Sequence, residues 1–232
     1  MKRNLIITGA GALVVALALI GGSLAANNAQ TAEAAQAEIS VNGLKGGIGI
    51  GENNSAIFSE DGIAATPGGD YEIERYAVNA GEQADYAAYF KVVIYKSWED
   101  GKGEYIDIAA TEDVVEDQVY VGEEKEVYEP GLEAGTIING WMVAYADEEE
   151  IELFYTKPVP VGEATTPFIN GVSFTENMDN DYCDASYNLE FEVTAVQANN
   201  GEEAFGSALG LYPTLDSDGN IIALSEEKPE EE

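Results

Sequence analysis

YNLEFEVTAVQANN, residues 187–200, is the segment whose pattern decides how this chain folds. Tyr187, Leu189, Phe191, Val193 and Ala195 fall on one side of an extended backbone, and Asn188, Glu190, Glu192 and Thr194 on the other. Successive side chains leave opposite faces of a strand, so the alternation reads as a half-buried β-strand. Upstream, GWMVAYA from Gly140 and IELFYTK from Ile151 read as two further strands of a hairpin. Its tip holds Asp147, Glu148, Glu149 and Glu150, and charge there blocks unwanted strand pairing. Pro160-Val161-Gly162-Glu163 reads as a turn, after which Thr165 and Thr166 restart extended structure.

The same periodicity recurs toward the N-terminus. Residues 85–98 give the longest strand: Tyr86, Ala88, Phe90, Val92, Ile94 and Trp98 share a face, with Tyr89, Val93 and Tyr95 beside Lys91 on the other. A strand apolar on both faces suits the centre of a sheet. Ile39 and Val41 precede an Asn42-Gly43 hairpin signal, and residues 71–78 and 105–108 add strands. The glycines from Gly46 to Gly51 lack the Lys and Ser/Thr of a phosphate loop. Residues 111–129 read as short strands and loops, with a helix over residues 111–118 as the alternative, capped by Thr111 and with Glu112 and Asp113 in its first turn. Asn199-Asn200-Gly201 turns the chain toward a last hairpin, TLDSDGNIIAL. Many strand-like runs between turn signals predict an all-β antiparallel sandwich.

The 232 residues carry 10 Lys+Arg against 44 Asp+Glu, with no His, for a net charge of −34. Such a charge repels phosphates, so nucleic acid and anionic membrane surfaces are not expected partners. Lys2 and Arg3, an apolar run from Leu5 to Ile20 and small residues at Ser23 and Ala25 read as a signal peptide with an N-terminal signal helix. Cleavage is expected after Ala25, or else after Ala26; an uncleaved anchor is the competing reading, against a run short of the ~20 residues needed to span. The expected layout is a signal peptide at 1–25, a flexible arm at 26–38, a sandwich domain at 39–224 and a disordered acidic tail at 225–232. Contact with a membrane is expected only through the signal segment.

Several of these pieces together resemble the TasA/camelysin family of exported bacterial matrix and spore-coat proteins. They are Phe154, Tyr155, Pro160 and Gly162; the run from Glu163 to Phe168; the strand end Val196-Gln197-Ala198-Asn199-Asn200; and, upstream, Pro67-Gly68 and Val78-Asn79-Ala80-Gly81. The resemblance covers residues 64–201 and the leader, and rests on order and spacing. It implies a jelly-roll-like sandwich and export through a SipW-type signal peptidase. It also implies that the arm, with Ala26, Asn27, Gln30, Ala32, Ala34 and Ala37, serves as a donor strand inserted into the next subunit. Many members carry an aromatic pair just after the leader; Ala26 and Asn27 stand there in this chain and leave less apolar area to dock.

The lack of His removes the Ser-His-Asp triad, the Cys-His dyad and the HExxH zinc site. The chain is therefore expected not to be an enzyme. Cys183, the one cysteine, lies among carboxylates that oppose thiolate formation. No cofactor is expected; calcium is the one plausible ion, at Asp216, Asp218 and Asn220, where Gly219 falls at the wrong place for an EF-hand and a tight hairpin turn competes. Asp179, Asp181 and Asp184 read as a solvated acidic loop. The expected function is a secreted subunit of an extracellular biofilm-matrix or cell-surface fibre, partnered by itself or by a related matrix subunit. The alternatives are a camelysin-like surface protease built on carboxylates, and a monomeric surface adhesin using Tyr71, Tyr76 or Trp98.

Overall fold

Fifteen strands and one helix are described in a computed structural model covering residues 39–41, 44–50, 63–80, 86–106, 117–176, 178, 182, 184–199 and 201–228. In chain order the first eight strands are β1 (Ile39–Val41), β2 (Leu44–Ile50), β3 (Ile63–Ala64), β4 (Asp70–Val78), β5 (Ala88–Glu99), β6 (Tyr105–Ile106), β7 (Asp117–Val121) and β8 (Glu126–Val127). Then come β9 (Ile137–Ile138), β10 (Trp141–Ala146), β11 (Glu150–Tyr155), β12 (Ile169–Phe174) and β13 (Ser186–Gln197). The chain closes with α1 (Gly201–Leu209), β14 (Tyr212–Leu215) and β15 (Ile221–Ser225). Pairing is antiparallel throughout.

One sheet runs β1-β2-β4-β12-β7-β8 and the other β3-β13-β5-β11-β10-β9, with β6 beside the end of β5. The chain enters β4 in the first sheet, crosses to β5 in the second, returns to β7, crosses again to β10 and β11, and then places β12 between β4 and β7. β13 then completes the second sheet beside β5. This alternation between sheets, with late strands filling in beside early ones, is the jelly-roll pattern. The fold is thus the all-β sandwich that the strand periodicities predict.

The inward faces follow the alternation residue by residue. Tyr187, Leu189, Phe191 and Val193 of β13 and Ala88, Phe90, Val92, Ile94 and Trp98 of β5 enter the main core. Ile73 and Ala77 of β4, Val119 and Val121 of β7 and Ile169, Val172 and Phe174 of β12 meet them from the facing sheet. Twelve consecutive residue pairs join β13 to β5, from Ser186 opposite Glu99 to Gln197 opposite Ala88. These two strands form the spine of the domain.

β7 fits the reading of residues 111–129 as short strands, while the C-terminal part departs from the sequence expectations in two places. Gln118 lies in β7, paired with Ser173, and is not helical. The Val119 and Val121 side chains bury on the strand period, and the capping residues of the alternative helix, Thr111, Glu112 and Asp113, lie outside the described residues. The segment that follows the expected turn at residues 199–201, for which the sequence pattern announces no element, forms α1. Its Glu202 and Glu203 occupy the first turn, where they favour the helix dipole, and Gly210 ends it at φ +69° with its N–H on the Gly206 carbonyl. Phe205 and Ala208 of α1, with Ile221 of β15, cover an apolar patch on the outer face of the second sheet. That patch comprises Tyr89, Met142, Phe154 and Val196, and the Phe205 ring sits 5.4 Å from that of Tyr89 and 6.1 Å from that of Phe154. Ser225, expected to begin a disordered tail, is the last residue of β15.

Candidate functional site

The sequence pieces behind the family resemblance come together in space. Val78 bridges Ala164, the Asn79 N–H donates to the Glu163 carbonyl at 3.0 Å, and the Gly162 N–H returns to Asn79 O at 2.8 Å. The Asn79 side-chain amide, fully buried, donates to the carbonyls of Val159 and Tyr86. Thr165 exchanges hydrogen bonds with Ala77, and the Phe168 N–H reaches Arg75 O. Trp141 Nε1 donates to Thr166 O. The segment from Pro160 to Phe168 therefore extends β12 along β4, and it does so with few side chains able to perform chemistry.

A second constellation is the long flank of β13. The Ala198 N–H donates to Ala87 O at 2.8 Å, marking that position as a hydrogen-bonded pair. Antiparallel pairs alternate, so even-numbered residues of β13 exchange hydrogen bonds with β5. The odd-numbered residues from Leu189 to Gln197 turn their N–H and C=O groups the other way. On that side β3 pairs at Ser186 and Tyr187, and among the described residues no strand pairs with Val193, Ala195 or Gln197. β2 of the facing sheet comes within 8 Å of β13 but does not pair with it. Gly46, Gly47 and Gly49 lie in β2, and glycines in a strand often mark the close approach of another backbone.

The opposite end of the same sheet is built differently. The outer side of β10 is capped by its own loop, with Val143 N–H on Thr136 O, Gly135 N–H on Val143 O and Gly131 N–H on Ala146 O. The adjoining tip is folded by Asp147, whose Oδ1 accepts the N–H groups of Glu149 and Glu150. Such devices blunt an edge against pairing.

A third constellation lies between the sheets, and the sequence reading missed it. Lys96 of β5 enters the main core between Ile94 and Trp98, and Leu189 stands opposite it. Its Nζ is 3.1 Å from Oδ2 of Asp117 on β7, with the two side chains only 2 % and 3 % exposed. The buried Tyr187 hydroxyl donates to the same Oδ2 at 2.8 Å. Burial first, and then the Asp117 carboxylate, pushes the Tyr187 phenol far above its ordinary range, so it stays a proton donor. Aromatic rings close the site: Phe174 stands opposite Asp117, and Trp98 lies 4.8 Å from Tyr187 and 5.4 Å from Phe174. The signal was in the sequence, since residue 96 shares the even parity of Phe90, Val92, Ile94 and Trp98.

Other expected site residues fall elsewhere. Ser23, Ala25 and the arm residues Ala26, Asn27, Gln30, Ala32, Ala34 and Ala37 lie outside the described residues, as do Cys183, Asp179 and Asp181. Asp216, Asp218 and Asn220 form the β14–β15 turn: Asp216 Oδ1 accepts the N–H groups of Asp218 and Asn220, and its Oδ2 accepts the Asn220 side-chain amide. Among the described residues no group of three or more His, Cys, Asp or Glu is arranged around one metal position, and no helix is long and apolar enough to cross a membrane. The aromatics named for an adhesin differ in exposure. Trp98 is wholly buried, while Tyr71 and Tyr76 are half-buried and keep part of their surface exposed. No family model, curated protein or solved structure matches this chain.

The carboxylates titrate in two groups of opposite sign. Partial burial raises Glu150 above the ordinary 4.5, helped by Glu152 and Asp147, and burial alone raises Glu190. Their ionisation opposes folding, so stability is gained as pH falls through their folded values. Asp70, through its hydrogen bond from Lys125, and Asp216, through those from Asn220, lie below the ordinary 3.8. Their contribution is present above that value and lost as pH falls below it. With a net charge of −34 also relaxing, the thermal midpoint is expected to rise from pH 7 to about pH 5 and to fall again below about pH 3.8. A calorimetric series across that range measures both limbs; a midpoint falling steadily from pH 7 would contradict the assignment of Glu150 and Glu190.

Proposed function

We propose that this protein is an exported structural subunit that assembles into an extracellular fibre or surface layer by β-strand addition, with the flank of β13 as the acceptor. The observation that carries the reading is the outward-turned main chain of Val193, Ala195 and Gln197, beside a glycine-bearing β2 and opposite a sheet end capped by its own loop. Residues 26–37 of a second copy, or of a related matrix subunit, supply the strand. They enter the domain at β1, the outermost strand of the first sheet. Main-chain hydrogen bonds supply the affinity in this mode.

Ala195→Pro separates assembly from folding. Residue 195 does not use its N–H toward β5, and proline tolerates extended backbone where no ladder bond is lost. The variant is expected to keep the fold by circular dichroism yet form no fibres under negative-stain microscopy. A chain starting at Glu38 should likewise stay monomeric, and the mature chain from Ala26 should form fibres. Monomers from the mature chain at high concentration would overturn the proposal. In the same preparation, casein hydrolysis with a bound metal would favour the surface-protease reading, and cell binding by a stable monomer the adhesin reading.

A further inference from the structure

We propose that Lys96 and Asp117 condense into an intramolecular isopeptide bond that ties β5 of one sheet to β7 of the other. Nζ lies 3.1 Å from Oδ2, so a small rotation brings it to the ~3–3.5 Å from Cγ at which such atoms react. Proton transfer from Nζ to the carboxylate gives the neutral amine and the neutral acid, which removes two charges from a site that buries them at a cost. The amine lone pair then attacks Cγ. The Nζ–Cγ bond forms, a Cγ–O bond breaks, and the departing hydroxyl takes a hydrogen from Nζ to leave as water. Nothing is oxidised or reduced, and no co-reactant is needed.

The surroundings suit each step. The Tyr187 hydroxyl donates to Oδ2 at 2.8 Å, the oxygen that takes the Nζ proton, and the same hydrogen bond favours its departure as water. Trp98, Phe174, Leu189 and Ile94 keep the site dry, so the amide once made is shielded from hydrolysis. Held by two packed sheets, the two groups are already oriented, which replaces the activation that condensation requires in free solution. The bond would join positions 21 residues apart across the core.

Intact-mass spectrometry of the denatured protein, with its N-terminus read from the same digest, tests the proposal. The expected mass is lower than that of the sequence by one water, and the digest yields a branched peptide joining the segments that hold Lys96 and Asp117. Lys96→Arg and Asp117→Ala should each show the full sequence mass. A wild-type protein at full mass, with the Lys96 peptide recovered unbranched, overturns the proposal whether or not the variants fold. A water loss that persists in Lys96→Arg does so too.

Discussion

Trp98→Ala is expected to lower the free energy of unfolding by about 3–5 kcal/mol, the usual cost of emptying a large aromatic from a closed core. Trp98 is fully buried, and its ring lies 4.8 Å from Tyr182, 4.8 Å from Tyr187 and 5.4 Å from Phe174. Edge-on contacts of this kind add about 0.5–1.5 kcal/mol each beyond area burial. Since domains are commonly stable by only ~5–15 kcal/mol, the loss takes a large share of the total. Trp98→Phe should cost less, about 1–2 kcal/mol, because among the described residues the indole Nε1 has no hydrogen-bond partner to lose. Urea unfolding of the two variants measures both. A ligand-contacting tryptophan would instead leave stability nearly unchanged.

Gly171→Ala is the second large effect, at about 3 kcal/mol. Gly171 stands opposite Tyr120 in the β12–β7 ladder, and the Tyr120 ring lies across it to hydrogen-bond Asp70 at 2.9 Å. A Cβ at residue 171 would fall 2.2 Å from the Tyr120 hydroxyl and 2.6 Å from the main-chain oxygen of Tyr71. The side chain can swing aside, at the loss of its contacts with Asp70 and with Lys125, which lies 4.7 Å above the ring. The carbonyl cannot move without disturbing β4. Gly171→Ala combined with Tyr120→Ala should therefore recover only part of the loss relative to Tyr120→Ala alone. Full recovery in a double-mutant cycle would place all the strain on the ring.

The sandwich was legible because its long strands carry period-two alternation over many residues, β13 most plainly. What was not legible depends on partners far away in sequence. Trp98 has the parity of Ile94 and Phe90 yet was also offered as a surface aromatic; parity assigns a face, and only the facing Phe174 and Tyr182 show that face to be closed. The outer face of β5 explains α1. Tyr89 reads as an unassigned aromatic until Phe205, from a nine-residue helix containing Gly206, is laid against it. So short a helix has little intrinsic propensity and forms on the patch it covers. Lys96 passes unremarked in the sequence because the residue that makes it a core position, Asp117, lies 21 residues away in another sheet. The β13 flank could not have been found at all, since the direction of a main-chain N–H follows from pairing register and leaves no mark on composition.

β13 also carries more information than its inner face alone conveys. Along its outer side the order is Asn188, Glu190, Glu192, Thr194 and Val196, running from charge to the apolar patch beneath α1. A slip of one residue against β5 would turn Glu190 and Glu192 into the main core, the error any one-sided strand guards against. A slip of two residues keeps both faces but moves every side chain ~6.8 Å along the strand. That would carry either Thr194 into the place of Val196 under Phe205 or Val196 off the patch altogether. Position along the strand is thus encoded separately from side. The longest pairing in the domain has a single address, which newly made chains can find without trapping in a near-correct alignment.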